Sequence, residues 1–92
     1  MQVFLNGQLL EKQEAKVSVL DRGFIFGDGV YEVIPVYTGR LFRFAEHLKR
    51  LQNSLDAIDI PNPYSHTKWQ KICEDVMASC PDDADKSVYI QV

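Results

Sequence analysis

At residue 44 the hydrophobic pattern of this chain changes period, and that change limits the available folds more than any other feature. Before it, Val30-Tyr31-Glu32-Val33-Ile34-Pro35-Val36-Tyr37 is rich in the β-branched and aromatic residues that suit a pleated surface. After it, Phe44, Leu48, Leu51, Leu55 and Ile58 recur at steps of four and three, on one stripe of an amphipathic helix. A half-buried ribbon followed at once by a one-faced helix is the unit of an α+β fold, in which a sheet buries one face under helices.

Turn chemistry fills in the rest. Asn6-Gly7 stands between Val3, Leu5 and Leu9, Leu10, and both turn residues tolerate positive φ, so the first ten residues read as a hairpin. A polar stretch over 11–16 leads to the apolar run Val17 to Leu20. Thr38-Gly39 before Leu41-Phe42 predicts a second hairpin. Pro35 has no N–H to give a ladder, so its strand is expected at a sheet edge or bulged there. Pro61 and Pro63 break the chain after the first helix. A second helix is expected from about Thr67 to Ser79, with Trp69, Ile72, Cys73, Val76 and Cys80 on one stripe and the polar stretch Pro81 to Asp85 closing it. Ser87 to Val92 alternates like a final strand. The expectation is one mostly antiparallel α+β domain over residues 1–92: two β-hairpins, two helices and a last strand that ends the chain in mid-domain.

Composition excludes several classes. A chain of 92 residues buries only a little over ~60% of its unfolded surface, which leaves a thin stability margin. Its net charge of -3 comes from 10 basic and 13 acidic residues scattered along the chain, which offers no footprint for nucleic acid. No apolar run approaches the ~18 residues of a membrane span and no signal segment follows Met1, so no membrane partner is expected and a cytoplasmic location is. Cys73 and Cys80, on one helix, would lie ~10 Å apart, too far for a disulfide. They read as reduced core thiols, and with His47 and His66 at no zinc spacing from them no metal is expected.

Two segments carry more information than pattern alone. Asp21-Arg22-Gly23-Phe24-Ile25-Phe26-Gly27-Asp28-Gly29 packs three glycines into seven positions and reads as a structured loop holding three buried anchors, Phe24, Ile25 and Phe26. Its order is not G-x-G-x-x-G and no helix follows it, which rules out a nucleotide loop. Joined to Val30-Tyr31-Glu32-Val33 and followed by Glu46-His47-Leu48-Lys49-Arg50-Leu51, it closely resembles the class IV (fold-type IV) pyridoxal 5'-phosphate (PLP) aminotransferases. The resemblance covers nearly the whole chain. Within that family, Tyr31-Glu32-Val33 with Pro35-Val36-Tyr37 is most similar to the D-amino-acid transaminases; branched-chain aminotransferases and aminodeoxychorismate lyases are the alternatives.

The resemblance implies the small N-terminal domain of a fold-type IV enzyme, homodimeric when full length, that moves an amino group between a D-amino acid such as D-alanine and a 2-oxo acid. It implies that Arg50 binds the PLP phosphate, a task suited to a planar fork of donors; the plain alternative is a solvated helix arginine. Tyr31 would reach the substrate carboxylate, against a plain reading as a core tyrosine, and Val33 would line the same pocket. Tyr31 and Val33 share one face of their strand, opposite Val30 and Glu32. Glu32 and Asp28 read as structural, because aminotransferase proton transfers belong to the PLP lysine. Arg22 reads as pinning the glycine-rich loop. His47, three residues before Arg50 on the same helix face, either supports the phosphate site or caps its edge.

Lys12, Lys16, Lys49, Lys68, Lys71 and Lys86 fall in polar or helix-surface surroundings that would not lower an amine pKa, so none suits Schiff-base chemistry. The resemblance therefore implies that the Schiff-base lysine lies beyond Val92, with the glutamate that pairs with the pyridine nitrogen and the arginine and histidine that trap the substrate carboxylate. The 92 residues alone are expected to hold no catalytic residue and to be inactive. The rival from another class is a truncated product that keeps the fold without the chemistry.

Overall fold

The computed structural model describes residues 1–80 and 84–92. In chain order its elements are β1 (Gln2–Leu5), β2 (Gln8–Glu11), a 3-10 turn (Lys12–Glu14), α1 (Arg22–Ile25), β3 (Tyr31–Tyr37), β4 (Arg40–Leu41), α2 (Phe44–Ala57), α3 (His66–Ala78) and β5 (Lys86–Gln91). They divide into two compact units. The first takes Met1–Asp28 and the chain from Thr67; the second takes Gly29–His66 and the final strand.

In the first unit β1 and β2 pair antiparallel from Gln2↔Glu11 to Leu5↔Gln8. Asn6 (φ 48) and Gly7 (φ 91) turn between them with both φ positive, the geometry that matches the twist of a two-residue hairpin. The amide of Gln2 donates to Ser79 Oγ at 3.1 Å, which ties the hairpin to the residue following α3. α3 buries Trp69, Ile72 and Cys73, with Val76 half-buried, as its spacing predicts. Cys73 and Cys80 are both free thiols, and burial pushes the Cys73 thiol up to about 11. The closing stretch expected from Pro81 lies partly outside the described residues.

The Asp21 to Gly29 segment departs from expectation. It begins as one helical turn, capped by the Asp21 carboxylate accepting from the Gly23 amide at 2.8 Å. Phe24, Ile25 and Phe26, expected as buried anchors, are exposed. Polar bonds hold the segment instead: Arg22 pairs with Asp28 through Nε (3.0 Å) and Nη2 (2.8 Å), and its guanidinium lies over the Phe26 ring. That pair fulfils the pinning role expected of Arg22.

The second unit is a three-stranded antiparallel sheet of order β4-β3-β5 with α2 packed on β3. Tyr37↔Arg40 closes the β3–β4 hairpin through Thr38 and Gly39, again both at positive φ. On the covered face Ile34, Val36, Val88 and Ile90 meet the helix stripe of Leu48, Leu51 and Leu55 as one buried set. Burying an aliphatic side chain of this size is worth roughly 1.5–3 kcal/mol. α2 ends in a Schellman arrangement: Ile60 N–H donates to the Leu55 carbonyl and Asp59 N–H to that of Asp56, with Asp59 left-handed at φ 57.

β3 lies in the middle of the sheet, not at its edge, and Pro35 leaves the β3–β4 ladder one bond short. Within an antiparallel strand the N–H and C=O of one residue point the same way, and the Pro35 carbonyl accepts from Phe42 N–H on the β4 side. The β4 register, Val36↔Leu41 and Tyr37↔Arg40, puts Phe42 opposite Pro35, so the missing N–H faces Phe42 and the ladder on that side stops there. Toward β5 the pairing runs unbroken from Tyr31↔Gln91 to Val36↔Lys86. Val30 and Val92 extend it by exchanging both backbone bonds, at 2.9 and 3.0 Å. Gly29 lets them close together, since a Cβ there would stand 3.0 Å from the Val92 carbonyl oxygen and the strand end would have to shift by a few tenths of an ångström.

Candidate functional site

The alternation of β3 sorts its residues. Glu32, Ile34 and Val36 point to the covered face, and Tyr31, Val33 and Tyr37 to the open one. Glu32 is therefore a carboxylate in phase with the core, 4% exposed, and the buried charged side chain among the described residues. Such a group stays ionised only if donors replace its water. α2 supplies them from adjacent turns: Arg50 Nε donates to Oε2 at 2.9 Å and to Oε1 at 3.1 Å, Arg50 Nη2 to Oε1 at 2.8 Å, and His47 Nδ1 bonds Oε1 at 2.7 Å. An ionised carboxylate only accepts, so Nδ1 carries the proton in that bond.

These bonds set the charges. The Arg50 hydrogen bonds hold the Glu32 carboxyl below the usual carboxylate range, against a desolvation that pushes it up, with His47 helping. Arg50 in turn is raised, first by its hydrogen bond to Glu32 and then by the charge of that carboxylate. Glu32 uses the side-on edge of the guanidinium, Nε and one Nη2 proton. Both Nη1 protons and the second Nη2 proton make no hydrogen bond among the described residues, and the Arg50 side chain is 68% exposed. Its end-on edge is thus an accessible pair of parallel donors, which fits one phosphate or carboxylate group.

On the open face Tyr31 (63% exposed) and Val33 (43%) lie side by side, and the Tyr31 ring stacks on Tyr89 of β5 with centroids 5.8 Å apart. Tyr31 is not a core tyrosine. The structure brings Arg50, His47 and Glu32 together on the covered side and sets Tyr31 and Val33 on the other. Sequence reasoning passed over Tyr89, although its alternation with Val88 and Ile90 carries the signal. It also left Glu32 without a stated partner; a carboxylate in phase with Ile34 and Val36 is the pattern that calls for one.

The six lysines are placed as composition suggests: five are exposed and Lys86 is half-buried at the start of β5. Lys71 pairs with Asp75 at 2.6 Å, which raises its amine rather than lowering it. Among the described residues no cluster of three metal-ligating side chains occurs, and no helix is long and apolar enough to cross a membrane.

Comparison with known proteins identifies the family. The family model for class IV aminotransferases matches residues 29–92, and the chain belongs to that family. It is 40% identical, over all 92 residues, to a D-alanine aminotransferase of Listeria monocytogenes, of which it spans 32%. To a D-alanine aminotransferase of Staphylococcus aureus it is 49% identical over 63 residues, 68% of this chain and 22% of that enzyme. Among solved structures, a branched-chain aminotransferase from the archaeon Thermoproteus uzoniensis superposes with a TM-score of 0.87 at 29% identity, covering 99% of this chain and 32% of the other. The chain thus spans about a third of the length of the relatives that match it throughout.

Proposed function

We propose that the chain is the N-terminal, cofactor- and substrate-facing part of a D-amino-acid transaminase, which exchanges the amino group of a D-amino acid such as D-alanine with the oxo group of a 2-oxo acid. The observation that carries the reading is the outward end-on fork of Arg50, a donor pair suited to the phosphate of PLP and left open by the bonds to Glu32. When bound, PLP supplies the electron sink that transamination needs. The Tyr31 phenol offers a donor to a substrate carboxylate, and Val33 offers an apolar wall beside it. The proton-moving lysine is assigned to the rest of the protein, because none of the six here is desolvated enough to serve. The complete enzyme is proposed to be a cytoplasmic homodimer.

The 40% identity to a D-alanine aminotransferase supports the D-amino-acid assignment, whereas the backbone match to a branched-chain aminotransferase favours a second reading, L-amino-acid transfer on the same fold. Rates of the full-length protein on D-alanine, L-leucine and aminodeoxychorismate separate them, since pocket contacts to a side chain discriminate such substrates by orders of magnitude. D-alanine is expected to be preferred. Preference for L-leucine would move the protein to the branched-chain enzymes, and turnover of none would support the truncated, non-enzymatic product.

A further inference from the structure

A buried ion pair is a poor device for stability. Here only the Glu32 carboxylate leaves water, a cost that offsets much of its attraction to the exposed guanidinium, and aliphatic replacements of a buried charge are often neutral or better. Position 32 shares its face with Ile34 and Val36, where another aliphatic residue would extend the core. A carboxylate stands there instead, and its effect is directional: it grips the side-on edge of Arg50 in two bonds and leaves only the end-on edge turned away. His47, 15% exposed, bonds the same carboxylate at Oε1, at 2.7 Å. Arg50 itself is 68% exposed, so without this grip its guanidinium would sample the rotamers of a solvated side chain.

We propose that Glu32 is a positioning residue for cofactor binding: it orients Arg50 so that the end-on donor pair meets the phosphate, and His47 holds Glu32 for that purpose. The inference rests on the phosphate role of Arg50 proposed above. It assigns a role in phosphate recognition to a residue that would touch neither cofactor nor substrate. Pre-orienting a fork lowers the entropy lost when it binds, so the effect appears in affinity for the phosphate and not for the pyridine ring.

The test uses the full-length protein and two probes, PLP and pyridoxal, which lacks the phosphate. Affinity for each is measured by fluorescence titration of the apo form in wild type, Glu32→Gln, Glu32→Asp and Arg50→Ala, with circular dichroism recording the fold. Gln keeps the shape of Glu but sets an amide donor against the Arg50 donors. The ratio of PLP to pyridoxal affinity is expected to fall about tenfold in Glu32→Gln, the worth of one charge-assisted hydrogen bond, and less in Glu32→Asp. If Glu32→Gln does not fold, Glu32→Asp decides by the same ratio. A fall in both affinities by one factor would make Glu32 merely structural and overturn the inference. An unchanged ratio in a folded Glu32 variant, with a collapsed ratio in Arg50→Ala, would overturn it and leave the role of Arg50 standing. An unchanged ratio in Arg50→Ala would remove that role and the inference with it.

Discussion

Replacing Arg50 separates a phosphate ligand from a solvated arginine. Two outward donors, one on Nη1 and one on Nη2, are available to one phosphate group. A hydrogen bond to a charged group is worth about tenfold to a hundredfold in affinity, so two give at most about ten-thousandfold. The side chain is 68% exposed, and water competes for both donors. The lower end therefore applies, and Arg50→Ala in the full-length enzyme is expected to weaken PLP binding by about a hundredfold. Arg50→Lys keeps the charge but loses the planar fork and cannot grip Glu32 along two bonds, so it is expected to fall between. The assay is PLP retained after dialysis of wild type and both variants, with circular dichroism establishing that each is folded. Equal retention in all three would refute the assignment at the residue on which the functional reading depends most.

Three further outcomes are expected. Tyr31→Phe removes one hydroxyl from the open face and should lower kcat/KM by tens- to about a hundredfold while PLP retention is unchanged; unchanged kinetics would count against a substrate role. Leu51→Ala, at a side chain with no exposure, should cost about 2–5 kcal/mol in chemical denaturation, and a loss under about 1 kcal/mol would mean that α2 does not depend on that contact. The third concerns acid. The folded carboxyl of Glu32 lies below its ordinary value, so its contribution is fully present above the ordinary value of 4.5 and is lost as pH falls through the lowered one. The stability advantage of wild type over Glu32→Gln should hold at neutral pH and shrink below about pH 4.5 in denaturation curves across that range, and a gap that does not narrow would refute the ionised pair.

Much of the fold was legible because its local signals agree with one another. Asn6-Gly7 turns with the positive φ that both residue types permit, Gly39 does the same beside a β-branched Thr38 forced to φ 52, and Leu48, Leu51 and Leu55 bury as their spacing requires. The ends of that stripe were less legible: Phe44 is half-buried and Ile58, past the last turn, is exposed. Hydrophobicity misled at Phe24, Ile25 and Phe26, because an apolar residue in a segment fastened by polar bonds has no obligation to point inward. Chemistry misled at Pro35 in a subtler way. Proline removes a donor on one side of a strand only, so β3 keeps its full ladder to β5 and loses one bond, opposite Phe42, where β4 ends. At the candidate site the strand alternation placed Tyr31 and Val33 correctly on one face. It could not show that Arg50 reaches across to Glu32, since that contact joins positions eighteen residues apart and depends on how α2 lies on β3.

The shortness of β4 has a consequence for solubility. Before Pro35 the backbone groups of Tyr31 and Val33 that point to the β4 side belong to no strand pair of β4, the pattern of an unpaired sheet edge. At Pro35 the facing place is held by Phe42, whose N–H bonds the Pro35 carbonyl and gets no donor in return. The proline thus ends the β4 ladder at Phe42 and gives no protection to Tyr31 and Val33 before it, where the donors that strand addition would use are intact.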